Sequence, residues 1–145
     1  MLKGIPAVLS PDILKTLMEM GHGDELVIAD GNFPSASTAK RTLRSDGHGI
    51  PALLDAVLQL LPLDTYVERP VALMEVVPGD PYQPDIWPQY AEIIGKRERV
   101  VEFDFVDRFS FYERARAAYA VIATSEKCLY GNIILKKGVV SARNF

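Results

Sequence analysis

Gly21-His22-Gly23-Asp24-Glu25-Leu26-Val27-Ile28-Ala29-Asp30 sets a glycine-flanked histidine against an unbroken apolar run that ends on a carboxylate. Leu26 to Ala29 have no polar interruption, the pattern of a strand covered on both faces. Strands of that kind belong to layered α/β domains, with helices on either side of the sheet. Gly31-Asn32-Phe33-Pro34-Ser35 follows as a loop by composition. Ligands of open α/β sheets gather at the carboxyl ends of strands, and Asp30 falls there.

Working outward, the elements on either side support the same architecture. Ser10-Pro11-Asp12 is a helix start: a capping hydroxyl, proline at the first helical position and an acid in the first turn. Ile13, Leu14, Leu17 and Met18 then repeat at helical spacing. Gly21 is expected to end that helix as a left-handed cap. This leaves His22 just beyond a helix C-terminus, whose partial negative charge favours imidazolium. Downstream, Lys40–Arg44 is a candidate short strand and Asp46-Gly47-His48-Gly49 a turn. A second helix starts at Pro51 and shows one broad apolar face (Leu53, Leu54, Val57, Leu58, Leu61), with Pro62 as its stop. Strands are expected at Val71–Val77, Val100–Val106, Tyr119–Thr124 and Ile133–Lys136, with helices at Ile86–Ile94 and Phe109–Ala118 between them. Alternation of this kind predicts a single three-layer α/β/α domain, residues 1–145, with a mostly parallel sheet.

The bulk properties narrow the function classes. The 145 residues suit one domain, and 48% apolar content is enough for a core without disulfides or a structural metal. A formal charge of -3 without a basic stripe argues against nucleic acid or an anionic membrane as partner. Cys128 is the single cysteine and cannot form an internal disulfide, which fits a reducing compartment. Met1–Pro6 lacks the long apolar run of a signal peptide, and no stretch reaches the roughly 18 apolar residues of a membrane span. A soluble cytoplasmic protein is expected.

Few side chains carry distinctive chemistry. His22 either satisfies the last carbonyls of its helix or serves as a general acid or base, since an imidazole titrates near pH ~6.5. The flanking glycines leave its ring uncovered, which suits a ligand-facing side chain. Asp30 either closes its strand or accepts hydrogen bonds from a sugar or other polyol. His48 sits in a turn and reads as solvated; no HxH, HxxxH or cysteine pair makes a metal site with it. In Arg108-Phe109-Ser110-Phe111-Tyr112-Glu113-Arg114-Ala115, the aromatics read as core and Glu113, Arg114 and Arg116 as a solvated face. Arg108 stands ahead of that helix, where a guanidinium could reach a cleft. Tyr130-Gly131-Asn132 combines a stacking ring with a hydroxyl, room for close backbone approach, and a carboxamide that donates and accepts. By composition alone it is a turn. GxSxG, Walker A, GxGxxG and CxxC motifs are all missing.

Taken in order, these stretches resemble the RbsD/FucU family. The matching residues are Leu2-Lys3-Gly4-Ile5, Ser10-Pro11, Gly21 to Glu25, Asp30 with Phe33-Pro34, Arg108 to Ala115, and Tyr130 to Val139. The resemblance covers almost the whole chain and is closest to the L-fucose mutarotase branch. It implies a cofactor-free isomerase that interconverts the α and β anomers of a free monosaccharide, L-fucose first among them. His22 matches the proton donor, and Asp30, Arg108, Tyr130, Gly131 and Asn132 match the sugar-binding positions. The family forms rings, typically decamers of two pentamers, with sites near subunit contacts. Two other readings stay open: pyranose–furanose conversion of D-ribose, and a sugar-binding accessory of uptake without catalysis. One departure bears on the sugar. The L-fucose branch often has A-H-F-P after its aspartate, where this chain has Gly31-Asn32-Phe33-Pro34 and so one titratable group fewer.

Overall fold

A computed structural model describes residues 1–99 and 102–144. Among them lie six strands, β1 (Glu25–Ala29), β2 (Thr42–Ser45), β3 (Val71–Met74), β4 (Phe103–Val106), β5 (Ala120–Thr124) and β6 (Ile133–Lys136). Five α-helices accompany them: α1 (Pro11–Glu19), α2 (Ser35–Thr38), α3 (Ile50–Leu58), α4 (Ile86–Arg97) and α5 (Arg108–Ala117). The strands form one sheet in the order β2-β5-β1-β6-β3-β4. β1, β2 and β5 run parallel, as do β3 and β4, and β6 lies antiparallel between β1 and β3. Five strands therefore share one direction and a single inverted strand joins the two parallel blocks.

The apolar run of β1 explains the layering. Successive side chains point to opposite faces of a sheet. Leu26 and Ile28 enter the larger core with Ile13, Leu53, Leu54, Tyr90 and Ile94 from α1, α3 and α4. Val27 and Ala29 enter a second core with Phe33, Phe111 and Ala115 on the α2 and α5 side. Both faces are covered, and the domain is the three-layer α/β/α sandwich expected.

Several boundaries move for local reasons. Ser10 caps α1 as expected, its Oγ accepting from the Ile13 N–H at 3.2 Å. The left-handed glycine of the following turn is Gly23 (φ 84°), not Gly21, and α1 ends in an extended Met20. Gly21 instead donates its N–H to Asp24 Oδ2 at 2.7 Å, so the chain turns over four residues before entering β1. β3 stops at Met74, three residues short of Val77, where its partner β4 ends at Val106. Of the expected Val100–Val106 strand, Val100 and Val101 lie outside the described residues. α3 ends at Leu58, before Pro62, and α4 runs on to Arg97, where Lys96 and Arg97 suit the negative end of the helix. The four-residue α2 sits in the loop after β1 and has too few turns to leave a periodic signal. Two assignments on α5 are corrected. Phe109 is solvent-exposed, whereas Phe111 is fully buried. Arg114 is no solvated residue: it bridges Glu25 (2.5 Å) and Asp104 (3.2 Å), drawing β1 and β4 toward α5.

Candidate active site

The inversion of β6 gathers one group of the candidate residues. β1 and β6 pair with Ile28 opposite Ile133, so the residue before Ile133 stands beside the end of β1. Asn132 consequently meets Asp30 at the carboxyl edge of the sheet, and its Oδ1 accepts from the Asp30 N–H at 2.7 Å. Both residues are 6% exposed, so this is an interior contact at the floor of a cleft. The cleft has a volume near 230 Å³ and is lined by Asp30, Asn32, Phe33, Met74, Asp80, Tyr112, Leu129, Tyr130 and Asn132.

Electrostatics distinguish the carboxylate at its floor. Burial pushes the Asp30 carboxyl above the usual aspartate range, and the nearby Glu126 charge acts in the same sense; N–H groups of Asn32, Phe33 and Gly131 oppose the rise. One of those contacts is the Asn32 N–H on Asp30 Oδ1 at 2.9 Å. The aromatic wall is ordered too. Phe33 stacks on Tyr112, ring centroids 5.3 Å apart and 11° from parallel, and meets Phe111 edge-on at 6.0 Å. A wall of this kind presents apolar faces beside the polar floor. Arg108 is solvent-exposed at the start of α5, and its guanidinium lies 5.7 Å from the centroid of the Tyr112 ring. It belongs to the surroundings of the cleft and is not among its lining residues.

Gly131 explains why a glycine follows Tyr130. A Cβ there would stand 3.1 Å from the Cys128 carbonyl oxygen, and the Gly131 carbonyl accepts from the buried Tyr90 hydroxyl at 2.6 Å. Tyr130 itself has φ 57°, a conformation uncommon for a bulky residue. Its carbonyl accepts from Trp87 Nε1 at 2.9 Å, which anchors the strained peptide to α4.

His22 lies elsewhere. It precedes β1 whereas Asp30 follows it, so the full length of the strand, about 17 Å, separates the two within one chain. Its ring does not turn back to the carbonyls of α1. Nε2 instead meets Asp64 Oδ1 at 3.0 Å, and the ring packs against Tyr66 with centroids 5.2 Å apart. The His22 side chain is 46% exposed while that of Asp64 is 4% exposed, so a buried carboxylate orients a solvent-facing imidazole. Burial alone would raise the Asp64 carboxyl, but the Tyr66 N–H and His22 outweigh it and hold the group below the ordinary aspartate range. Reading the chain missed Asp64. It stands 42 positions from His22 in an unremarkable Pro62-Leu63-Asp64-Thr65 stretch, and no local spacing could join them.

The Asp64 segment is held against β6 by a glycine. A Cβ on Gly138 would stand 2.4 Å from the Leu63 carbonyl oxygen and 2.9 Å from Asp64 Cα, both backbone atoms. Gly138→Ala is therefore expected to push the Leu63–Asp64 strip away, lowering stability by about 1–3 kcal/mol, the usual range for overpacking. A chemical-denaturation midpoint unchanged from wild type would contradict this. Elsewhere, His48 is exposed in its turn, with Nδ1 3.0 Å from Ser45 Oγ. Among the described residues, no three His, Cys, Asp or Glu side chains group as metal ligands. No helix among them is long and apolar enough to cross a membrane.

Comparison with known proteins gives these two clusters a context. Residues 3–140 match the RbsD / FucU transport protein family. The fucose mutarotase of Homo sapiens is 53% identical over 146 residues, covering 97% of this chain and 95% of that protein. The crystal structure of the fucose mutarotase from Streptococcus pneumoniae in complex with L-fucose is 53% identical, with a TM-score of 0.93 over 97% of this chain and 100% of that one. RbsD of Bacillus subtilis, complexed with D-ribose, has a TM-score of 0.75 at 21% identity over 97% of this chain and 100% of its own, a likeness of fold alone.

Proposed function

The chain belongs to the RbsD/FucU family, and from that premise we propose that it is an L-fucose mutarotase, an isomerase that exchanges the α and β anomers of the free sugar. The observation that carries this reading is the cleft at the strand ends: a buried aspartate whose backbone N–H is held by a buried carboxamide at its floor, beside an aromatic wall. A carboxylate accepts from two hydroxyls and a carboxamide both donates and accepts, which suits a polyol, while aromatic faces suit the apolar face of a pyranose. The 53% identity to a fucose mutarotase seen with L-fucose supports the choice of sugar.

Anomer exchange proceeds by ring opening. A base takes the proton of the anomeric hydroxyl, an acid protonates the ring oxygen, the exposed aldehyde carbon rotates, and the ring recloses on its other face. In this reading Asp30 and Asn132 grip sugar hydroxyls, the Gly131 turn packs on Cys128 and Tyr90 behind them, Arg108 orients the sugar from outside the wall, and His22 is the acid. An imidazole beside a buried carboxylate is well oriented for that role. His22 is one strand length from the cleft in its own chain, so the acid reaches the sugar from a neighbouring copy. The active form is accordingly a homo-oligomer, and a decameric ring in the cytoplasm is the form proposed. Exchange NMR on L-fucose tests the reading: added protein is expected to accelerate α/β exchange well above the buffer rate. Sugar binding by calorimetry without acceleration would leave only a binding accessory, and faster pyranose–furanose exchange of D-ribose than anomer exchange of L-fucose would move the assignment to the other branch.

A further inference from the structure

The loop that leaves β3 crosses to the cleft and ends on Tyr130. Gly79, at φ 90°, makes the turn, and the Asp80 N–H donates to the Val77 carbonyl at 3.0 Å. Asp80 then spans two neighbours: Oδ1 accepts from the Tyr82 N–H at 2.9 Å and Oδ2 accepts from the Tyr130 hydroxyl at 2.7 Å. The Tyr82 ring stacks on that of Tyr130, with centroids 5.9 Å apart and 26° from parallel. The Val77 N–H makes a long 3.4 Å contact to the Tyr130 oxygen. A phenol has one proton to donate and two lone pairs that accept. The proton of Tyr130 is committed to Asp80 and one lone pair faces Val77, which leaves one lone pair for a ligand.

We infer that Asp80 is a positioning residue for ring opening: by engaging the Tyr130 proton it makes the phenol oxygen the acceptor for the proton of the anomeric hydroxyl. The inference rests on the mutarotase reading and names the basic half of that reaction. The step balances without a co-reactant. The anomeric O–H bond breaks and its proton goes to the Tyr130 oxygen, while the Tyr130 proton passes to Asp80. The electron pair left on the anomeric oxygen forms the carbonyl, the bond from the anomeric carbon to the ring oxygen breaks, and the ring oxygen takes a proton from His22. Closure on the opposite face returns both protons. Asp80 suits this part by geometry: the Tyr82 N–H fixes Oδ1 at 2.9 Å and leaves Oδ2 aimed at the Tyr130 hydroxyl at 2.7 Å, a direct path for its proton.

Asp80→Asn preserves shape but cannot take a proton. It is expected to lower kcat for L-fucose exchange roughly tenfold, the scale of one hydrogen bond, with KM little changed. Asp80→Glu should recover part of the loss. In a Tyr130→Phe background Asp80→Asn should do nothing further, because the two residues act as a unit. Asp80→Asn exchanging at the wild-type rate, raising KM alone, or costing as much in the Tyr130→Phe background as in wild type would each overturn the inference while the mutarotase reading stands. Wild-type protein that fails to accelerate exchange would overturn both.

Discussion

His22→Ala is expected to lower L-fucose anomer exchange by roughly 10²–10⁴-fold, the usual worth of a general acid, while leaving the fold in place. The side chain is 46% exposed and touches only the rim of the domain, through Asp64 and the Tyr66 ring. Its removal opens no core cavity. Asp64 loses one partner but keeps the Tyr66 N–H at 3.0 Å, so the buried carboxylate is not left bare. The thermal midpoint should therefore fall only slightly, and exchange NMR with circular-dichroism melting reads both quantities. A variant that exchanges anomers at the wild-type rate would remove His22 from the mechanism. The pH dependence has a definite sign. The Asp64 carboxyl is held below its unfolded value, so its contribution to stability is present above the ordinary carboxylate range, near pH ~4, and is lost as pH falls through the depressed folded value.

Asp30→Asn is expected to act in opposite directions on function and stability. Loss of a charged acceptor for sugar hydroxyls should raise KM roughly ten- to hundredfold, as for a hydrogen bond to a charged group. Stability at neutral pH should rise. Burial lifts the Asp30 carboxyl above its unfolded value, so over the window between the two values the folded state holds the extra proton. Stability then falls as pH rises through that window, and above it the domain carries an ionised carboxylate at its cleft floor. An amide has no charge to desolvate, and its oxygen can still accept from the Asn32 N–H that now binds Asp30 Oδ1. Melting curves at neutral pH should place the variant above wild type. The gap should close at acid pH, where Asp30 is protonated. A lower midpoint at neutral pH would show that the carboxylate is structural and not held at a cost for the ligand.

The layered architecture was legible because it rests on local pattern. The unbroken Leu26–Ala29 run could be covered only by helices on both faces, and α1 and α3 announced themselves by apolar spacing, α1 also by Ser10-Pro11. Boundaries were less legible. β3 ends where β4 ends, and a partner strand is invisible in the segment itself. Phe109 and Phe111 differ by two positions and look alike in sequence, yet one faces solvent and the other the core beneath Val27 and Ala29. Arg114 gives no sign in its own helix of the carboxylates on β1 and β4 that receive it.

The candidate residues were legible one at a time, as residue types able to bind or move protons. Their grouping was not. Had β6 run parallel to β1, Tyr130-Gly131-Asn132 would have stood at the far edge of the sheet, away from Asp30. The inverted pairing, with Ile28 opposite Ile133, is what makes them neighbours. The same sheet sets His22 at the opposite edge and supplies Asp64 and Asp80 from loops 42 and 50 positions from the side chains they hold. By itself, then, the sequence determined the domain class and the strand that organises it, because helical and strand periodicity are properties of contiguous residues, and it offered candidate side chains without Asp64 or Asp80. Tertiary structure alone decided strand direction, the pairing of each reactive group with its carboxylate, and the separation of His22 from the cleft, because these depend on contacts between segments distant in the chain.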